Sequence, residues 1–147
     1  MKPTPKDWPR ISSAVFYEDP AAAIDWLCTA FGFEVRLKVE GEGGSIVHSE
    51  LTYGDGLVMV GGLRTHEEDP NRIPCASPRG VEGKNTQALC VFVDDAEAHC
   101  AHAKAAGAVI ADVPAVHDYG DDYWADKTYR AVDPEGHHWW FMERVRG

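Results

Sequence analysis

The sequence predicts an α+β fold built as two tandem βαβββ modules, whose curved mixed sheets enclose a cleft. Three observations predict it. First, YEDPAAAIDWLCTAFGFEV and FVDDAEAHCAHAKAAGAVI share one pattern, with Asp19 falling on Asp94 and Gly32 on Gly107 at a constant offset. Second, each stretch follows a short run rich in apolar residues, ISSAVFY and TQALCVFV, that reads as a strand. Third, each is followed by three more strand-like runs. The expected domain is single, over residues 1–147: module one at about 11–62, a linker at about 63–84, and module two at about 85–144.

Each element has a local reason. Asp19 suits a helix N-cap because its carboxylate can accept a free first-turn N–H, and Pro20 suits the first helical position. Ile24, Leu27, Cys28 and Phe31 recur at helical spacing and make one buried face, and Gly32 ends the helix. In the second module Asp94 or Asp95 caps, Ala96, His99, Cys100 and Ala103 form the face, and Gly107 closes it. The strands that follow are EVRLKVE, SIVHSELTY and GLVMVGG in the first module, with EGEGG and GDG as turns. In the second they are AVIADV, KTYRAVD and HHWWFMER, with DPEG before the last. The region between the modules is rich in Pro, Gly and charge, a linker composition, and the first ten residues read as a loose arm. One module cannot cover both faces of its own sheet. One face takes the helix, and the other is expected to line a cleft, where small ligands bind.

Composition narrows the function. The chain has 147 residues, 44% of them hydrophobic, which suits one packed domain. No apolar run approaches the roughly 18–20 residues that span a bilayer. The start, MKPTPKDWPR, lacks the apolar core of a signal peptide, so no membrane association and a cytoplasmic location are expected. Cys28, Cys75, Cys90 and Cys100 form no CxxC pair, and the three in expected helices or a strand read as small hydrophobes, which suits a reducing compartment. The formal net charge is −10, with Lys and Arg dispersed, which repels phosphate backbones and excludes nucleic acid as an expected partner.

With these features in place, the chain resembles the vicinal-oxygen-chelate superfamily, that of glyoxalases, bleomycin-resistance proteins and extradiol dioxygenases. The resemblance spans residues 11–144 and rests on the paired modules, the strand–Asp–helix–Gly pattern and DPEGHHWWF. IVHSELTYGDGLVMVGG and YGDDYW look most like a glyoxalase-like branch. The resemblance implies homodimers and a range of activities from lyases to drug binders, so the fold does not choose the function. It also implies where a divalent ion would be held: by His, Gln or Glu at matching places in the first and last strand of each module. Here those places fall on Ser12 (Ser13 with a slip of one), Val60 beside Met59, Ala88 (Gln87 with a slip), and Trp140. The four best-aligned residues are not normal ligands of such an ion. No metal and no other cofactor is therefore expected, and a divalent ion is the alternative that a register slip would admit.

The site residues follow from strand parity. His48 and Glu50 lie two apart and share a face, with Val47, Ser49 and Leu51 expected towards the helix. As a cleft-facing pair they suit acid–base or orienting work, or else a hydrogen-bonded polar patch. Trp139 and Trp140 point oppositely, with His138 on the Trp140 side. HDYGDDYWAD brings Tyr123 and Trp124 beside carboxylates, a combination suited to a planar or cationic ligand, or to a loop packed on the domain or a second subunit. Arg130 lies on the second module's third strand, where Glu50 lies in the first, and could pair with Glu50, hold an acidic ligand group, or face solvent. His66 and His117 read as loop residues and His102 as an exposed helix residue. The expected function is binding of a small planar or cationic organic molecule by a homodimer, with Trp140, His138, Tyr123, Trp124 and Arg130 as ligand contacts. The alternatives are a lyase or isomerase using a metal or the His48–Glu50 pair, with those two residues catalytic, and a dimeric interaction module without a ligand.

Overall fold

A computed structural model describes residues 1–65 and 67–147, and His66 lies outside the described residues. Two four-stranded sheets each carry one helix. The first module comprises β1 (Ser13–Tyr17), α1 (Pro20–Phe31), β2 (Glu34–Glu40), β3 (Ile46–Tyr53) and β4 (Gly56–Gly62). The second comprises β5 (Leu89–Phe92), α2 (Ala96–Ala105), β6 (Val109–Asp118), β7 (Ala125–Val132) and β8 (His138–Arg146). The strand orders are β1-β4-β3-β2 and β5-β8-β7-β6, so the modules share one topology. In each, the first and last strands run parallel and the other pairs antiparallel.

The helices end as their sequences require. The Asp19 carboxylate accepts the Ala22 N–H, and Gly32 closes α1 in the left-handed conformation at φ +80°. Asp95, rather than Asp94, caps α2 through the Ala98 N–H. The second helix therefore starts one position later than the constant offset predicts. Ile24, Leu27 and Phe31 are buried, as are Ala96, Cys100 and Ala103. Cys28 and His99 are only partly so.

One core joins the modules. Phe31 packs edge-on against Phe141 at 4.7 Å and lies 5.7 Å from Trp139, so the first helix reaches the last strand. The DPEG turn forms a second joint. Asp133 accepts the Tyr17 hydroxyl at 2.6 Å and the Trp139 indole N–H at 3.1 Å on one oxygen. Its other oxygen accepts the backbone N–H groups of Glu135 and His137. The Glu135 carboxylate accepts the N–H groups of Glu18 and Asp19 at the start of α1. These buried groups are expensive to leave unpaired, which explains why this turn takes its acids.

Three segments differ from their sequence reading. The first ten residues are not a loose arm: Arg36 donates to the Asp7 carbonyl at 2.8 Å and its guanidinium lies 5.2 Å from the Trp8 ring centre. The linker holds a 3-10 turn at Pro78–Val81, and Arg79 ties it to Glu18 and to the Pro134 carbonyl. The acidic aromatic loop is shorter than expected, because β6 runs on to Asp118 and takes up His117, while β7 starts at Ala125. Among the described residues, no helix is long and apolar enough to cross a membrane.

Candidate functional site

Strand alternation gives each sheet a helix face and an open face. In β3, Ser49 and Leu51 are buried on the helix side, with the Ser49 hydroxyl donating to the Val60 carbonyl at 2.7 Å. Val47 shares their parity but is 66% exposed, so the buried alternation begins at Ser49. His48 and Glu50 take the open face. Nε2 of His48 lies 2.9 Å from Oε1 of Glu50, so the imidazole donates to the carboxylate. Arg36 Nε stands 3.5 Å from the other oxygen. The Glu50 side chain is 8% exposed and that of His48 42%, so the acid is sunk and the imidazole reachable.

A β-bulge brings Arg36 there. Val35 pairs with Leu51, but Leu37 pairs with Glu50, which leaves Arg36 as the extra residue. Period-two reading of EVRLKVE cannot anticipate a bulge, so the cation of this cluster is missed from sequence.

The second module has a comparable cluster with the charges exchanged, in which the counter-ion is the register partner rather than the bulged residue. Ile110 pairs with Ala131 and Asp112 with Arg130, so a bulge falls at the matching place. Arg130 Nε donates to Asp112 at 2.7 Å, and Nη1 donates to Nδ1 of His138 at 2.7 Å. A permanent cation donating to Nδ1 places the imidazole proton on Nε2. Burial, then the Arg130 charge, lowers the His138 pKa from its ordinary value, so the neutral ring is favoured. The same guanidinium lies over Trp140 at 5.4 Å. Trp140 is on the open face, while Trp139 is 1% exposed against the core.

Tyr123 and Trp124 occupy a different part of the second module. Trp124 lies 6.1 Å from Tyr123 and 5.8 Å from Tyr119. Arg144 stands over both Trp124 and Phe92, at 5.2 and 5.5 Å, and pairs with Asp126. The structure thus brings together His48 with Glu50, and Arg130 with His138 and Trp140. Among the described residues no hydrogen bond, ion pair or ring contact links these two clusters to each other or to the Tyr123–Trp124 pair. The pairing of Arg130 with Glu50 that sequence suggested is replaced by Asp112 for the one and Arg36 for the other.

Of the positions implied for a divalent ion, Ser12 and Ala88 fall one residue ahead of β1 and β5, and the neighbouring strand residues Ala14 and Cys90 take the places beside the last strands. Val60 is 1% exposed in the core, so Met59 is the open-face residue of β4, side by side with Ala14. On the other sheet Cys90 stands beside Trp140. Gln87 is engaged at the seam, accepting the Ser13 hydroxyl at 2.6 Å and donating to the Ala14 carbonyl at 2.7 Å. Among the described residues no group of three or more His, Cys, Asp or Glu side chains is placed to hold a metal.

Two βαβββ modules of one topology, each with a helix-covered and an open sheet face, define the paired-module class of α+β proteins. The chain belongs to the Glyoxalase/Bleomycin resistance protein/Dioxygenase superfamily, whose family model matches residues 10–141. TioX from Micromonospora sp. ML1 is a similar solved structure, 30% identical with a TM-score of 0.69, covering 93% of this chain and 99% of that one. TnmS3, an antibiotic binding protein from Streptomyces sp. CB03234, shares the fold at 18% identity and a TM-score of 0.63, covering 91% of this chain and 93% of its own. The uncharacterized protein Rv0887c of Mycobacterium tuberculosis (strain ATCC 25618 / H37Rv) is 28% identical over 139 residues, 94% of this chain and 76% of that protein.

Proposed function

We propose that the protein binds a small planar or cationic organic molecule on its open sheet faces, as a homodimer and without a divalent ion. The observation that carries this reading is the chemistry of the paired open-face positions: Ala14 beside Met59, and Cys90 beside Trp140. These offer apolar surface, sulfur and an indole face, where the family resemblance implies His, Gln or Glu donors for such an ion. Stacking and cation recognition suit such a surface, with Trp140 and Trp124 as the flat faces and buried Glu50 as the anionic anchor. The likeness to TnmS3, described as an antibiotic binding protein, points the same way at the level of fold.

A second copy is favoured by what one copy leaves open. Val35, Leu37 and Val39 on the edge strand β2, Val113 and Val116 on the edge strand β6, and Phe92 are all exposed. Unpaired edges with apolar side chains are surfaces that association covers.

The His48–Glu50 hydrogen bond favours a second reading, a lyase or isomerase in which this pair moves a substrate proton, since a reachable imidazole held by a sunken carboxylate is an oriented base. Titration of N-methylquinolinium, a planar cation, into the purified protein by calorimetry tests the first reading. Saturable binding is expected, with elemental analysis after chelator-free dialysis finding far less than one zinc, nickel, iron or manganese per chain. About one equivalent of metal, or no binding of any planar probe, would overturn it.

A further inference from the structure

We infer that the Arg130–His138–Trp140 cluster is a subsite for an acidic oxygen carried on an aromatic ring, so that the ligand, at this end, is an aromatic acid. The inference rests on the ligand-binding reading above and names the chemistry that one part of the surface selects.

The hydrogen-bond inventory gives the first reason. Arg130 spends Nε on Asp112 and one Nη1 hydrogen on His138. Its Nη2 hydrogens find no protein acceptor among the described residues. His138 Nδ1 is an acceptor already used, which leaves Nε2–H as a donor. Among the described residues no buried side-chain nitrogen or oxygen lacks a partner, so both free groups reach the surface. Two neighbouring groups thus each keep a donor that no protein group uses, and one of them belongs to a permanent cation. A carboxylate or phenolate oxygen is the complement of that pair.

The second reason is stacking. Arg144 stands over two rings, Phe92 and Trp124. Arg130 stands over one, Trp140, with its side chain 28% exposed. With one ring stacked on it among the described residues where Arg144 has two, the Arg130 guanidinium fits one more flat π system, and a ring bearing an electron-rich acidic group suits a cation better than a ring bearing a positive charge. The formal charge of −10 opposes an anion at long range, so recognition falls to these short-range contacts. Module one has the opposite bias, with Glu50 at its centre, and does not compete for the acid.

The test compares 2-naphthoate with 2-naphthylmethylammonium by calorimetry at neutral pH, in wild type, Arg130→Gln and Arg130→Lys. Loss of a charged hydrogen bond predicts that Arg130→Gln weakens naphthoate at least about tenfold. The ammonium probe is expected to change by less than about twofold, and Arg130→Lys to recover only part of the naphthoate affinity because it lacks the flat fork. In wild type, long-range 1H–15N NMR should show His138 as the Nε2–H tautomer, with naphthoate shifting that nitrogen and the Trp140 indole N–H. This wild-type arm stands even if the variants fold poorly. Undiminished naphthoate affinity in Arg130→Gln, or naphthoate shifts that leave His138 and Trp140 untouched, overturns the inference. If N-methylquinolinium binds and naphthoate does not, the inference falls and the ligand-binding reading stands. If neither binds, both fall.

Discussion

Glu50 and Arg130 hold corresponding places in the two modules and carry opposite charge. Each sits on the third strand of its sheet, on the open face, across from an edge strand that bulges to meet it. Each has a counter-ion from that edge strand, Arg36 for the acid and Asp112 for the base, and each holds one imidazole, His48 or His138. The duplicated scaffold therefore supplies two differently charged open faces from one topology.

The acid face gives the first prediction. Glu50→Gln keeps the shape and removes the charge, leaving Arg36 and His48 without their anion. Affinity for N-methylquinolinium should fall by about 1.5–3 kcal/mol, the usual worth of a charged hydrogen bond. Calorimetric titration checks it, and equal affinities in the two proteins would remove Glu50 from the site.

Asp133 gives a stability prediction that is independent of any ligand. Its carboxylate serves Tyr17, Trp139 and two backbone N–H groups at the joint between modules. Asp133→Ala leaves the buried Tyr17 hydroxyl and Trp139 indole unpaired, at roughly 1–3 kcal/mol each. Urea melts should show a loss of several kcal/mol; a midpoint unchanged from wild type would mean that the joint is dispensable.

His99 makes stability depend on pH. Its Nε2–H donates to the Phe31 carbonyl at 2.9 Å and its Nδ1 accepts from the Tyr129 hydroxyl, an arrangement that needs the neutral ring. Burial is the largest cause of its lowered pKa, and the nearby His102 adds to it, while the Phe31 hydrogen bond works in the opposite direction. The folded value lies below the unfolded one of 6.5, so the unfolded chain binds the extra proton. Stability is full above that value and declines as pH falls below it, by at most about 1.4 kcal/mol per pH unit from this group. Melts at pH 7.5, 6.5 and 5.5 should show a steeper decline in wild type than in His99→Gln, and parallel curves would rule the effect out.

Sedimentation at micromolar concentration should give the mass of a dimer, because the apolar side chains of β2 and β6 and the open faces need cover. A monomer mass would leave those surfaces solvent-facing and contradict the assembly.

Much of the fold is legible because it rests on local rules. Asp19, Pro20 and Gly32 state where α1 starts and stops, and alternation separates Trp139 from Trp140 without any tertiary information. The site is less legible because its contacts depend on register. Arg36 is the extra residue of one bulge and Asp112 follows the extra residue of the other, where the period that sequence reading relies on is broken. Val60 and Met59 exchange faces on a shift of one residue, which moved the implied ion-binding position from an open-face residue onto a core one. The constant offset between modules also slips by one at Asp95, so residues matched by counting are not always matched in space.

The central claim is that a flat ligand is held on the open face that carries Trp140. The direct measurement is the dissociation constant of 2-naphthoate and of acetate, an anion of the same charge without a flat face, in wild type and Trp140→Ala. Because Trp139 and not Trp140 fills the core, the variant should keep its melting midpoint close to wild type. Removal of the indole face should weaken the flat anion by about 0.5–1.5 kcal/mol beyond lost area and leave the compact one nearly unchanged. Equal losses for both anions, or no loss for either, would contradict the account.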